Sequence, residues 1–139
     1  MHIRNEHVRW IPRPASEVFG QLEAVGTEGD TIWPAPSIPF KRTPGPLTVG
    51  QTREHHGIIR AVLDELLPGR RLVWRADQAF IQGTHGFEVT ETADGCDVAH
   101  VLEADLAWWF VPIWVLKMRA IHDRIVERLL QRLDASSAS

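Results

Sequence analysis

Tyrosine is absent from this 139-residue chain and cysteine occurs once, whereas tryptophan occurs six times. A lone thiol, Cys96, excludes an internal disulfide and a multi-thiolate metal centre, and it fits a reducing compartment. No basic block is present: 15 Lys and Arg stand against 18 Asp and Glu, a net charge of −3. That balance speaks against a nucleic-acid-binding face. The uncharged run Leu106 to Leu116 is far short of the ~20 residues a membrane span needs, so stable insertion is not expected. The opening Met1-His-Ile-Arg-Asn-Glu-His7 is too polar for a secretory signal, which points to a cytoplasmic protein. Gly-x-Ser-x-Gly, Walker A, Gly-x-Gly-x-x-Gly and His-x-x-x-His motifs are all missing, and with them the familiar nucleophile, nucleotide and zinc signatures. Neither a metal nor a cofactor is expected.

What remains is 44% apolar and 24% charged, an ordinary globular balance, with seven histidines on a chain long enough for one core. Residues 1–134 read as a single domain and 135–139 as a frayed tail. His2 to Ile11 has a strand-like mixture ended by Pro12-Arg13-Pro14. Ala15 to Val25 reads as a helix, with Val18, Leu22 and Val25 at helical spacing and Gly26 closing it. Thr27 to Gly50 carries five prolines with Trp33, Ile38 and Phe40 interleaved. It is expected to be a lid or binding loop, with room for a short helix near Asp30 to Trp33.

The period then becomes two. Thr48 to His56, Ile58 to Leu66, Arg71 to Asp77, Phe80 to Thr92 and Cys96 to Leu106 are separated by turn residues, which predicts an antiparallel meander. In the last of these, Val98, His100, Leu102, Ala104 and Leu106 share a face; His85, Phe87 and Val89 do so one strand earlier, and Leu72 and Trp74 before that. A turn centred on Asp94-Gly95 would set His100 beside Val89 and His85 near Ala104. From Val111 to Leu133 the stripe Trp114, Met118, Ile121, Ile125, Leu129 and Leu133 marks a long amphipathic helix. The fold class is therefore α+β: a curved antiparallel sheet wrapped around a long C-terminal helix.

On these residues the chain resembles the START-like (SRPBCC) helix-grip superfamily, which includes polyketide cyclases, the birch-pollen allergen and lipid-transfer domains. The resemblance is carried by Val8-Arg-Trp-Ile-Pro-Arg-Pro14-Ala-Ser-Glu-Val18-Phe19, Leu47-Thr-Val-Gly50, Pro68-Gly-Arg-Arg-Leu72-Val-Trp74 and the hairpin Phe87 to Val98, with the terminal helix. It implies an internal apolar ligand cavity and brings no catalytic motif.

The expected function is binding of a small hydrophobic molecule between sheet and terminal helix. Trp33 and Phe40 are expected in the lid, and Trp74, Phe87, Leu102, Trp114 and Met118 in the walls. His56, His85 and His100 are the expected polar handles. His85 and His100 are also candidates for acid and base in a cyclase-type enzyme, the main alternative; each could equally be a histidine satisfied by backbone or water. Against catalysis stands the lack of a carboxylate set firmly on the apolar face to orient either histidine; Arg53-Glu54 could equally be a solvated face. Of the pair His55-His56 only one side chain can face inward; a metal site with Glu54, Asp64 or His85 has no supporting ligand spacing. His122 is expected on the solvated flank of the terminal helix. A third reading makes Trp108-Trp109-Phe110 an exposed patch for a partner, such as a second copy in a homodimer.

Overall fold

A computed structural model describes residues 1–135. Seven strands form one antiparallel sheet in the order β1-β7-β6-β5-β4-β3-β2. They are β1 (His2–Ile11), β2 (Lys41–Arg42), β3 (Arg53–His56), β4 (Ile59–Leu67), β5 (Arg71–Gln78), β6 (Ile81–Thr92) and β7 (Gly95–Leu106). Helix α1 (Ala15–Glu23) follows β1, and the chain closes with α2 (Val111–Ile113), a π-helical segment (Trp114–Met118) and α3 (Arg119–Ala135). The α+β fold expected from the sequence is the one observed.

Alternation explains the inner face. Val98, Leu102, Ala104 and Leu106 of β7, with Leu72, Trp74 and Ala76 of β5, are buried together with Leu129, Leu130 and Leu133 of α3. Burying one leucine contributes about 1.5–3 kcal/mol, so this contact between helix and sheet is the main cohesive surface. Two glycines near the middle of β6 let the sheet bend. A Cβ on Gly83 would collide with the backbone of Glu103 and Ala104, and one on Gly86 with the backbone of Leu72 and Val73.

Several expectations need correction. The β6–β7 register pairs Val89 with Val98, Phe87 with His100 and His85 with Leu102, two residues from the predicted pairing. The turn is made by Ala93-Asp94, while Gly95 already belongs to β7 and is needed for close approach: a Cβ there would strike the carbonyl of Ile11 on β1. A slip of two keeps each side chain on its face, so the inward set survives. Trp10 and Val8 of β1 are exposed, and Asn5, His7 and Arg9 face α3 instead. The residues from Thr48 to Thr52 form a turn, not strand, and β3 begins at Arg53. Asp30 to Trp33 is not helical; Asp30 Oδ1 accepts the backbone N–H groups of Ile32 and Trp33 and turns the chain there. The terminal helix is interrupted by its π segment, and it continues through Ala135, into the expected tail. Residues 136–139 of that tail lie outside the described residues.

Candidate functional site

Sheet and terminal helix do not close on one another completely. Between them lies a pocket of about 180 Å³, bounded by β3 to β7, the loop after α1, the π segment and α3. For scale, an apolar cavity of about 150 Å³ accepts benzene. The structure brings all ten sequence-predicted residues to this one pocket. Trp33 and Phe40 come from the loop, His56 from β3, Trp74 from β5, His85 and Phe87 from β6, and His100 and Leu102 from β7; Trp114 and Met118 come from the π segment. That segment gives the helix one wide turn, with Trp114 and Met118 at its two ends.

The loop is tied down by its own aromatics. Trp33 Nε1–H donates to the carbonyls of Ala35 and Ile38, and Arg132 of α3 donates to the carbonyl of Trp33. Trp33, Phe40 and His56 form a mutual ring cluster, with centroids 5.3 to 5.6 Å apart and Phe40 stacked on His56.

The residue that sequence reasoning missed is Glu54. Its side chain is wholly buried, two positions before His56 on the inward face of β3. Glu54 Oε2 accepts His56 Nδ1–H at 2.6 Å, and Oε1 accepts His85 Nε2–H at 3.0 Å. Burial alone would raise the Glu54 carboxyl, but the hydrogen bonds and charge of the two imidazoles outweigh it and hold the group below the ordinary carboxylate range. An ionised carboxylate only accepts, so Glu54 fixes which nitrogen of each ring carries the proton. A neutral His56 then keeps Nε2 as its acceptor, and a neutral His85 keeps Nδ1.

This contact depends on the curl of the sheet. Three strand spacings of about 4.8 Å separate β3 from β6, roughly 14 Å in a flat sheet. Only strong curvature lets their side chains meet. Asp64, weighed with Glu54 beside it, sits at a β-bulge and pairs with Arg75 outside. His55 points away, its Nε2 bonded to the carbonyl of Gly57.

A row of imidazoles continues from His85 across the pocket wall. Ring centroids run His56 to His85 at 5.6 Å, His85 to His100 at 6.1 Å, His100 to His122 at 5.3 Å and His122 to His7 at 6.2 Å. His100 is 5% exposed and its Nδ1 has no partner among the described residues. Burial, and then the neighbouring imidazoles led by His122, push its pKa well below the ordinary histidine value. His122 is half-buried at the pocket edge, not on a solvated flank; burial lowers it to about 4 against the opposing bond from Asp123. At the far end His7 is the reverse. Burial opposes its charge, but Glu127 at 2.6 Å and Asp123 at 3.0 Å raise its pKa. The row therefore has carboxylates at both ends, and between them His100 and His122, which burial favours in the neutral form.

The aromatic patch is only partly as expected. Trp108 is 84% exposed and Trp109 is 47% exposed, but Phe110 is buried against Phe80 and lines the pocket. No helix among the described residues is long and apolar enough to cross a membrane.

No family model matches the chain, and no curated protein matches it. Solved structures do. A protein from Nitrosospira multiformis is 16% identical with a TM-score of 0.70, over 96% of this chain and 94% of that one. The solution structure of the KanY protein is 12% identical with a TM-score of 0.72, over 100% and 99%. The di-domain ARO/CYC StfQ from the steffimycin biosynthetic pathway is 17% identical with a TM-score of 0.65, over 97% of this chain but 50% of that one, so this chain spans about half of StfQ. At these identities the likeness is one of fold: a curved seven-stranded sheet gripping a C-terminal helix, shared with an aromatase/cyclase among others.

Proposed function

We propose that the protein binds a small, mostly apolar molecule carrying one hydroxyl or carbonyl group, in the pocket between the sheet and the C-terminal helix. The observation that carries this reading is the composition of the wall. Apolar side chains make up most of it, and Glu54 presents two imidazoles with defined tautomers on one side. Apolar burial at roughly 25 cal/mol per Å² supplies affinity, and the imidazoles supply orientation. Trp33, Phe40, Trp74, Phe87, Leu102, Trp114 and Met118 form the apolar contacts in this reading, with His56, His85 and His100 as the polar ones. The test is denaturing mass spectrometry of the purified protein for a co-purified compound. A titration with 1-naphthol, followed by tryptophan emission, accompanies it. A released compound and a saturable emission change that His85→Phe weakens are expected; a silent titration and an empty protein would overturn the reading.

A second reading, acid–base catalysis of a cyclase or dehydratase type, gains from Glu54. A buried carboxylate that orients an imidazole is the usual partner of a histidine that moves protons. Here Glu54 orients His56 and His85 together, whereas His100 has no such partner, so the roles fall to His56 and His85 before His100. In that case His85→Gln or His56→Gln abolishes turnover of a bound polyketide-like substrate while ligand-induced emission changes persist.

A further inference from the structure

One oxygen of Asp123 collects three donors. Its Oδ1 lies 2.9 Å from Asn5 Nδ2, 3.0 Å from His7 Nε2 and 3.3 Å from His122 Nδ1. A carboxylate oxygen offers about two lone-pair directions, so the third donor is surplus. On these same residues two buried polar atoms, Asn5 Oδ1 and His122 Nε2, have no partner among the described residues. The crowding falls on the carboxylate oxygen that both rings face. A cation set between the two imidazoles and the carboxylate resolves the crowding.

We propose that His7, His122 and Asp123 form a divalent metal site suited to zinc, at the seam between β1 and α3. Their ligating atoms all lie within 4.8 Å of one another. Zinc bonds of ~2.0–2.1 Å in a tetrahedron put neighbouring ligand atoms ~3.3 Å apart, close to the 3.0 and 3.3 Å spacings from Asp123 to the two rings. Two imidazoles and a carboxylate are donors that zinc accepts readily. The surroundings are also those of a ligand shell. His7 Nδ1–H donates to Glu127 Oε1 at 2.6 Å, an arrangement of carboxylate, histidine and metal that aims the opposite nitrogen at the ion. Asn5 Nδ2 holds the carboxylate itself.

Three protein donors leave a fourth position for water or an oxygen atom of a ligand. The site stands beside the pocket, because the ring of His122 is 5.3 Å from that of His100 on the pocket wall. Sequence spacing gives no hint of it: 116 positions separate His7 from Asp123, and only the packing of α3 against β1 joins them.

The test uses the full-length, untagged protein after EDTA treatment. Calorimetric titration with zinc chloride is expected to show one equivalent bound, and cobalt(II) to give the visible absorption of a four-coordinate site. Glu127→Gln should weaken zinc roughly 10–100-fold, and His7→Gln or His122→Gln should weaken it more. His55→Gln, at a ring that points away from the pocket, should leave both titrations unchanged. Far-ultraviolet circular dichroism checks that each variant is folded, and Glu127→Gln, the more exposed change, carries the test if the ligand variants are not. Zinc uptake that survives in His7→Gln and His122→Gln, uptake lost in His55→Gln, or no uptake at all would overturn the proposal.

Discussion

Replacing Glu54 by leucine is the sharpest probe of the buried carboxylate. The native side chain is wholly buried and accepts from two imidazoles at 2.6 and 3.0 Å. Each unpartnered buried N–H left behind costs about 1–3 kcal/mol. The leucine returns something, because the buried carboxylate no longer has to be desolvated. The balance expected for Glu54→Leu is a loss of about 3 kcal/mol, read from urea denaturation at neutral pH. Glu54→Gln should lose less, since its amide oxygen can still accept from one ring. The triple change Glu54→Leu, His56→Phe and His85→Phe should recover most of the stability, because a buried charged cluster replaced whole by apolar groups is often neutral. A Glu54→Leu protein as stable as the parent would refute the reasoning: the carboxylate would then contribute nothing by holding the two rings.

Acidification should destabilise the fold from about pH 6.5 downward in the metal-free protein. The folded pKa of His100 lies well below the unfolded value of 6.5, so its contribution is fully present above 6.5 and is lost as pH falls. Between pH 6.5 and 5.5 the parent should lose about 1 kcal/mol more than His100→Leu does, measured by urea midpoints; equal losses would count against a neutral buried ring. His122 acts in the same direction. His7, whose folded pKa is raised, contributes stability below pH 6.5 that is lost as pH rises through its folded value, so the stability curve should peak near that pH. Phe110→Ala should cost about 3 kcal/mol or more, whereas Trp108→Ser, at an 84% exposed site, should stay within about 0.5 kcal/mol, both by thermal melting. Met118→Trp should occupy the pocket from the π segment and remove the 1-naphthol response while leaving the melting temperature within a few degrees.

The parts of the site that periodicity encodes were legible before folding. Strict alternation in β7 and β6 put His100 and His85 on the inner face, and the stripe from Trp114 to Leu129 put the helix against them. The two-residue difference in β6–β7 register leaves this intact, because an even shift keeps every side chain on its own face. Glu54 was illegible for a different reason. In Arg53-Glu54-His55-His56 nothing local distinguishes a buried carboxylate from a solvated one; its partner His85 stands three strands away and meets it only through curvature. His7 is illegible for a similar reason: β1 is a mixture of apolar and polar residues, and nothing local shows that Asn5, His7 and Arg9, between Ile3 and Ile11 on its inward face, meet Asp123, Glu127 and Asp134 on α3.

The Glu54–His85 bond spans strands that are not neighbours, so it acts as a drawstring across the mouth of a bent sheet. Spreading the strands to let a guest in would pull a wholly buried anion away from its donors, a costly way to open. The yielding side must then be the proline-rich flap carrying Trp33 and Phe40, which meets the terminal helix through the hydrogen bond from Arg132 to the carbonyl of Trp33 and meets β3 through ring contacts with His56 that can slide.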